Sequence, residues 1–425
     1  MGWVWTMGIA LLGMWSVMSG WAVRGLLRMP SLDARATNSP CVRLAQEMST
    51  NSPQSGQNQS HAAIPRVSVI LAARNEDSAI TATLDSLRGQ TWTNIEVIAV
   101  NDRSTDNTGE ILEDKAVTWP QLRVLKVTHL PTGWLGKNYA LQQGAMAATG
   151  DWLLFTDADV VFSSQAVETA LHHTLAHGIH HLAVAPRLLV RGFWLRTAVY
   201  FFVYNIMLAF RPQDADLPNS PRSVGIGAFN LIHRSAYEQV GGHAAVALRP
   251  DDDLALGACI KSSGFQQAFA SGSNLIQVEW YPTLTAMAKG LEKNALAPFD
   301  YRFSRFVTGI AAAIFFYELP FLGTLLTPGW SRFPFVISLA LEWGMFDLST
   351  RNSHVSPWWA LTVPLGAPIL LILLVRSAWL AARHGGVEWR GTFYSLADLR
   401  RQAVVVPRQY AIWRRTGTRQ HRPPR

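Results

Sequence analysis

The sequence predicts an α/β domain built on a mostly parallel sheet with helices on both faces, joined to transmembrane helices. Three observations carry that expectation. Short apolar strand-like runs alternate with helix-like stretches from Val67 onward, long apolar segments lie towards both ends of the chain, and polar side chains gather where the strand-like runs stop.

Residues 2–23 are rich in Trp, Met, Leu and Val and carry no charge before Arg24, which fits one membrane span of about 20 residues. A cleaved signal peptide is the competing reading. The stretch lacks a basic leading region and a small-residue cleavage site, which favours an uncleaved anchor over residues 1–24. Arg24 and Arg28 place the adjoining segment in the cytoplasm. Residues 30–65 are rich in Ser, Asn, Gln and Pro and have too little apolar content to offset the entropy of ordering, so a flexible linker is expected over 25–65.

The expected catalytic domain covers 66–300. VSVILAA (67–73), IEVIAVN (95–101), LRVLKV (122–127) and DWLLFTD (151–157) are strand-like, and 78–88, 106–115 and 137–148 are helix-like. Near-continuous apolar strands alternating with helices mean a parallel sheet covered on both faces.

A C-terminal membrane region is expected over 301–382, with apolar blocks at 306–329, 333–348 and 357–381; the last is the strongest span. The formal charge of +8 belongs to residues 383–425, which hold ten Arg, no Lys and two acids. A basic tail after an apolar span suits a cytoplasmic, anionic-lipid-facing segment rather than nucleic acid. Three crossings would put that tail on the far side from the catalytic domain. An even number, with one block re-entrant or interfacial, removes the conflict. Cys41 and Cys259 belong to no Cys/His cluster, so neither a thiolate metal site nor a disulfide framework is expected.

The polar groups follow the strands. Arg74, Asn75 and Glu76 come after the first, Asp102 ends the second, Gly133–Lys137 follow the third, and Asp157 and Asp159 end the fourth. In an open α/β sheet, ligands bind outside the carboxyl ends of the strands, so four elements aim at one crevice. Asp157-Ala158-Asp159 suits a hard divalent cation (Mg2+ or Mn2+) that also takes diphosphate oxygens; a solvated turn is the bland alternative. Asp102 fits a ribose or base edge, or a helix cap, and Asp106 fits the cap better. Glu76 could reach the same ligand or cap a helix. Lys137 opens a helix, a position that suits phosphate better than the helix dipole.

Asp251-Asp252-Asp253 precede another helix. Three adjacent carboxylates are more than a cap requires, and one of them is the expected general base. The stretch 192–210 reads as an interfacial amphipathic helix or a core helix. His172, His173, His177, His180 and His181 resemble a metal patch without convergent acids, and a solvated helix face is the simpler reading.

Taken in order, VSVILAARNE, VNDRSTDNT, GWLGKNYALQQG, FTDADV, DDLALG with KSSGF, and GLEKN make residues 67–294 resemble the family 2 glycosyltransferases, inverting enzymes of the GT-A fold. GWLGKNYAL resembles the membrane-bound members linked to carotenoid, hopanoid or ceramide glycosylation. The resemblance implies that Ala73, Arg74, Asn75, Glu76 and Asp102 hold the uridine of a UDP-sugar donor and that Lys137 sits near the diphosphate. It further implies that Asp157 and Asp159 bind the metal, that Asp252-Asp253 match the family's Glu-Asp pair with Asp253 as base, and that Lys293 approaches the acceptor or leaving group. The acceptor implied is a membrane lipid or terpenoid. Asn101 stands where many members have Asp. The Gln-x-x-Arg-Trp element of processive synthases is replaced by QVEWYPTL, which points to a single transfer. A polyprenyl-phosphate sugar transferase and a silent membrane scaffold are the alternatives.

Overall fold

The structure, a computed structural model, describes residues 2–33, 64–292, 295–389 and 392–403. Cys41, Lys293, most of the expected linker and tail residues 404–425 lie outside the described residues. The chain opens with α1 (Gly2–Arg28). This helix runs past the expected break at Arg24 because its last turn is packed. Gly25 lies so close to the 212–214 turn that a Cβ would sit 2.5 Å from Asp214 Oδ1, and Leu26 is fully buried. Residues 30–32 then join the catalytic domain: Leu32 N–H donates to Ser271 O (2.8 Å) and Ser271 N–H donates to Pro30 O (2.9 Å). Residues 25–32, expected as linker, therefore belong to α1 and to a sheet edge.

Strands and helices alternate next as β1 (Val67–Ala73), α2 (Ile80–Arg88), β2 (Ile95–Asp102), α3 (Thr108–Thr118), β3 (Leu122–Val127), α4 (Gly136–Ala147) and β4 (Trp152–Asp157). After these come β5 (Val161–Phe162), α5 (Ala166–His177), β6 (His181–Ala185), β7 (Arg187–Leu188) and α6 (Phe193–Ala209). β8 (Asn230–His233), α7 (Arg234–Gln239), α8 (Asp252–Ser262), β9 (Gln267–Ser271), β10 (Ile276–Val278) and α9 (Leu284–Leu291) complete the domain.

The main sheet has the order β3-β2-β1-β4-β8-β6-β9. β1 is parallel to β2 and β4, while β8 runs antiparallel to both β4 and β6. Side chains alternate across a strand, so a strand buried on both faces must be apolar throughout. In β1, Val67, Val69 and Leu71 pack with α2, and Ile70 packs on the other face with Leu141 of α4. Gly144 lets α4 approach β1, since a Cβ there would collide with Ile70.

The rest is helical: α10 (Phe303–Ala313), a π-helical turn (Ile314–Glu318), α11 (Leu319–Leu326), α12 (Phe333–Thr350) and α13 (Val363–His384). Pro320 has no N–H to give Phe316 O, and Trp15 Nε1 of α1 donates to that carbonyl instead (3.2 Å). A hairpin of β11 (Gly386–Trp389) and β12 (Thr392–Ser395) leads into α14 (Leu396–Ala403), where Arg400 Nε donates to Tyr301 O (3.0 Å). The segment expected as a basic tail is thus folded as far as Ala403, with Leu396 and Leu399 packed beside Leu296, Ala297 and Tyr301 where the catalytic domain ends. Among the described residues, four helical segments are long and apolar enough to cross a membrane: Gly2–Arg28, Phe193–Asp214, Phe303–Leu326 and Pro357–His384. The second corresponds to the expected interfacial or core helix, whose inner face is buried against α12 and α13.

Candidate active site

The carboxyl ends of β1, β2 and β4 and the start of α4 form one crevice. Asn75 adopts a left-handed conformation (φ 57°), which allows its N–H to reach Ser104 Oγ (3.2 Å) and its Oδ1 to accept from Thr105 N–H (2.8 Å). The loops after β1 and β2 are thereby stitched together. Asn101 supports the same loop by accepting Ser104 N–H at Oδ1 (3.1 Å), so the departure from Asp leaves a built loop. Asp106, expected as the cap, stands one residue before the N-cap Asn107 and accepts Thr108 N–H (3.0 Å) and Asp77 N–H (3.2 Å); against a desolvation effect that would raise it, these bonds hold its carboxyl below the usual range. The helix therefore starts at Thr108.

Asp102 is 2% exposed, and Arg103 grips both its oxygens (2.8 and 3.2 Å). Gly136 lies directly over this pair, where a Cβ would run into the carboxylate. Ala73 is fully buried, and its carbonyl accepts from Ser104 Oγ (3.5 Å). Arg74 and Glu76 flank the same loop, and Glu76 N–H donates to Thr108 Oγ1 (2.8 Å).

Beyond Gly136 lies the charged centre. Lys137 Nζ is 2.8 Å from Asp157 Oδ1 and 3.8 Å from Asp252 Oδ1. Burial alone would lower its pKa; Asp157, Asp252 and Asp253 outweigh that and hold it well above normal. No side chain caps α4, which starts at Gly136 against the Asp102 carboxylate. Asp159 is pushed to about 7 by burial and then by Asp157 and Glu76. Such crowding of oxygen donors suits a hard cation, which needs one or two carboxylates when phosphates supply the rest. Among the described residues no group of three or more His, Cys, Asp and Glu forms a complete cage.

The three adjacent aspartates divide. Asp251 accepts from Arg249 Nη2 (2.6 Å). Asp252, 4% exposed, turns towards Lys137 and His243. Asp253 accepts Leu254 N–H (2.8 Å), and burial and then Asp252 push it to about 7. Lys137, Thr156, Gly227, His243, Asp252 and Asp253 line one pocket.

Thr156, Gly227 and His243 were missed by the sequence reading. Gly227 is needed for closeness, since a Cβ there would lie 2.8 Å from Asp157 Oδ2 and 3.3 Å from Lys137 Nζ. His243 comes after Gly241 and Gly242, both at positive φ (83° and 58°), and this Gly-Gly-His ahead of an acidic run was its available signal. The expected histidine patch does not form one exposed face: His181 is fully buried in β6 between Asn230 Oδ1 (2.5 Å) and Gln267 Nε2 (2.7 Å). A strand rather than a helix carries it.

Residues 68–241 match the profile of the family described as glycosyl transferase family 2; Asp251, Asp252 and Asp253 lie beyond the matched residues. Over 341 residues the chain is 25% identical to 4,4'-diaponeurosporenoate glycosyltransferase of Staphylococcus aureus, covering 78% of this chain and 88% of the relative. Among solved structures it is similar to a mannosyltransferase of Pyrobaculum calidifontis in complex with GDP-Man and Mn2+. That likeness has 18% identity and a TM-score of 0.48, over 89% of this chain and 98% of the other.

Proposed function

We propose, on the premise that residues 68–241 are a glycosyl transferase family 2 domain and the chain therefore a glycosyltransferase, that the protein moves one hexose from a nucleotide sugar to a lipid-phase acceptor at the cytoplasmic face of the cell membrane. The observation that carries this reading is the position of Lys137. It sits at the uncapped start of α4, between the loops suited to a nucleoside and the acidic pair Asp252-Asp253. The donor would be a UDP-sugar, and the name of the S. aureus relative favours a carotenoid carboxylic acid as acceptor. Replacement of the processive-synthase element by QVEWYPTL favours a single transfer.

The chain's own groups account for the chemistry. Loop residues 73–76 and Asp102 would cradle the nucleoside, and the α4 N-terminus with Lys137 would neutralise charge developing on the departing diphosphate. Asp157 and Asp159 would hold Mg2+ or Mn2+, which supplies further positive charge to that leaving group. Asp253 would take the proton of an acceptor hydroxyl, or align an acceptor carboxylate. The acceptor oxygen then bonds to the anomeric carbon from the face opposite the breaking bond to diphosphate, inverting the centre.

Asp253→Asn keeps the size of the side chain and removes the base. The expected outcome is loss of transfer by roughly a hundredfold or more, with donor affinity within about twofold of wild type. Turnover of labelled UDP-sugars and donor binding by calorimetry check it. Unchanged turnover would remove Asp253 from the role. A sugar-phosphopolyprenol in the lipid extract would replace the acceptor assignment.

A further inference from the structure

His243 is 1% exposed and sits between α7 and α8, at the inner wall of the pocket. Its Nε2 lies 4.0 Å from Asp252 Oδ2, opposite the Oδ1 that faces Lys137 at 3.8 Å. Its Nδ1 lies 2.9 Å from the Tyr237 hydroxyl oxygen, which also accepts the backbone N–H of His243 (3.1 Å). Phe155 packs its ring at 4.7 Å from the imidazole. The ring is thus fixed from behind, from the side and through its own backbone.

The tautomer follows from charge. Tyr237 O–H has two acceptors within reach, His243 Nδ1 and Gln142 Oε1 (3.1 Å), and Gln142 Oε1 already receives Ala244 N–H (3.2 Å). If Tyr237 donates to Nδ1, the remaining proton is on Nε2 and points at Asp252. If it donates to Gln142, the Nε2 lone pair faces the carboxylate and is repelled. The charge on Asp252 selects the first arrangement. Burial, and then Lys137, drive the imidazole pKa down to about 3, so the ring serves as a neutral N–H donor.

Resting on the proposed transfer reaction, we propose that His243 is a positioning residue: locked by Tyr237 with its proton on Nε2, it holds Asp252 as the anion beside Lys137 and so leaves neighbouring Asp253 as the group that accepts the acceptor's proton. Two adjacent buried carboxylates compete for one charge. The Lys137 ammonium facing one Asp252 oxygen at 3.8 Å and the His243 ring facing the other at 4.0 Å settle that competition in its favour electrostatically. The more proton-avid partner is then Asp253, which suits a base.

The test uses the full chain in membranes, with UDP-glucose as donor probe and a carotenoid carboxylic acid as acceptor. His243→Leu should lower kcat by roughly ten- to a hundredfold and leave donor KM within about twofold, because positioning rather than binding is lost. His243→Gln, whose amide reaches about as far as Nε2, should restore kcat to within about fivefold of wild type. Tyr237→Phe keeps the ring and should cost roughly three- to tenfold in kcat. Leu at wild-type kcat, or Gln as weak as Leu, overturns the proposal. Should His243→Leu not fold, Tyr237→Phe decides, and an unchanged kcat overturns it. A wild type that turns over no nucleotide hexose overturns the reading of the reaction and this inference with it. An active wild type with unaffected variants overturns the inference alone.

Discussion

At the residue scale, the same side-chain chemistry acquires different meaning from its partners. Asp251, Asp252 and Asp253 are indistinguishable in sequence, and Arg249, Lys137 and His243 separate them in space. Arg249 is a near neighbour in sequence, whereas Lys137 lies more than a hundred residues away and only the fold brings it to Asp252. The histidines repeat the lesson. Its neighbours in sequence group His181 with a solvated face, yet burial in β6 pushes its pKa down to about 4. Unfolded, the same imidazole titrates near 6.5, so below that pH the unfolded chain binds the extra proton and stability falls as pH drops towards 4. Wild type should lose about 2 kcal/mol from this group between pH 7 and pH 5. His181→Gln keeps a donor for Asn230 and an acceptor for Gln267, and its melting temperature in detergent should fall less over that range. Parallel melting curves for the two proteins would show that His181 is not the source.

At the element scale, the alternating half of the domain was legible because each strand end and helix obeys local rules. β1, β2, β3 and β4 appear where continuous apolar runs placed them, within a residue at each end. What local pattern could not supply is how α4 is tied to the segment ahead of α8. Asn138, next to Lys137, is fully buried, and its Nδ2 donates to Val246 O (2.8 Å), Ala247 O (3.2 Å) and Arg249 O (2.9 Å). Leu135 N–H donates to Ala247 O as well (2.8 Å). One helix thus fixes both the lysine and the backbone leading to the acidic pair. Asn138→Asp is nearly the same size but sets an acceptor against three carbonyls. A loss of about 2–4 kcal/mol is expected, with kcat falling alongside, since the acidic segment is released. Thermal unfolding and turnover of one preparation check both. A stable variant with normal kcat would show that the tie is dispensable.

At the scale of the whole molecule, the apolar helices differ in what their ends touch, which hydropathy does not register. α1 and α12 run side by side in the same direction: Gly8 meets Phe335, with a Cβ 3.1 Å from its ring, and Arg351 Nη2 donates to Leu26 O (3.4 Å). Both finish at the catalytic domain, where Ser271 and Ser273 hydroxyls donate to Asn352 O (2.9 and 2.6 Å). The continuous helix from Phe303 to Leu326 runs the opposite way, from Tyr301 to the far turn where Gly323 packs on Phe335. α6 and α13 behave differently: α6 follows β7 and the 212–214 turn at its end meets β9, and α13 is held along its length. α13 meets Phe201 at Gly366, Glu292 at Arg376 (2.6 Å) and the Tyr301 cluster at Ala381. Leu365, Ile372, Val375 and Trp379 form its exposed stripe. A helix with lipid on one face and protein on the other is apolar all round, which is why the strongest apparent span need not cross. Exposed Trp3, Trp5 and Trp330 mark the far side, and Trp21 and Trp358 the near side. The rise from Trp3 to Trp21 is about 27 Å, close to the thickness of a bilayer core. One crossing before the catalytic domain, by α1, and two after it, by the Phe303–Leu326 helix and α12, are therefore expected, with the hairpin after α13 on the catalytic side. In a background with both native cysteines replaced, Ser331→Cys should react with an impermeant maleimide in intact cells, and Glu388→Cys only after permeabilisation. Labelling of Glu388→Cys from outside would put α13 through the membrane and detach the hairpin from Tyr301, which Arg400 binds.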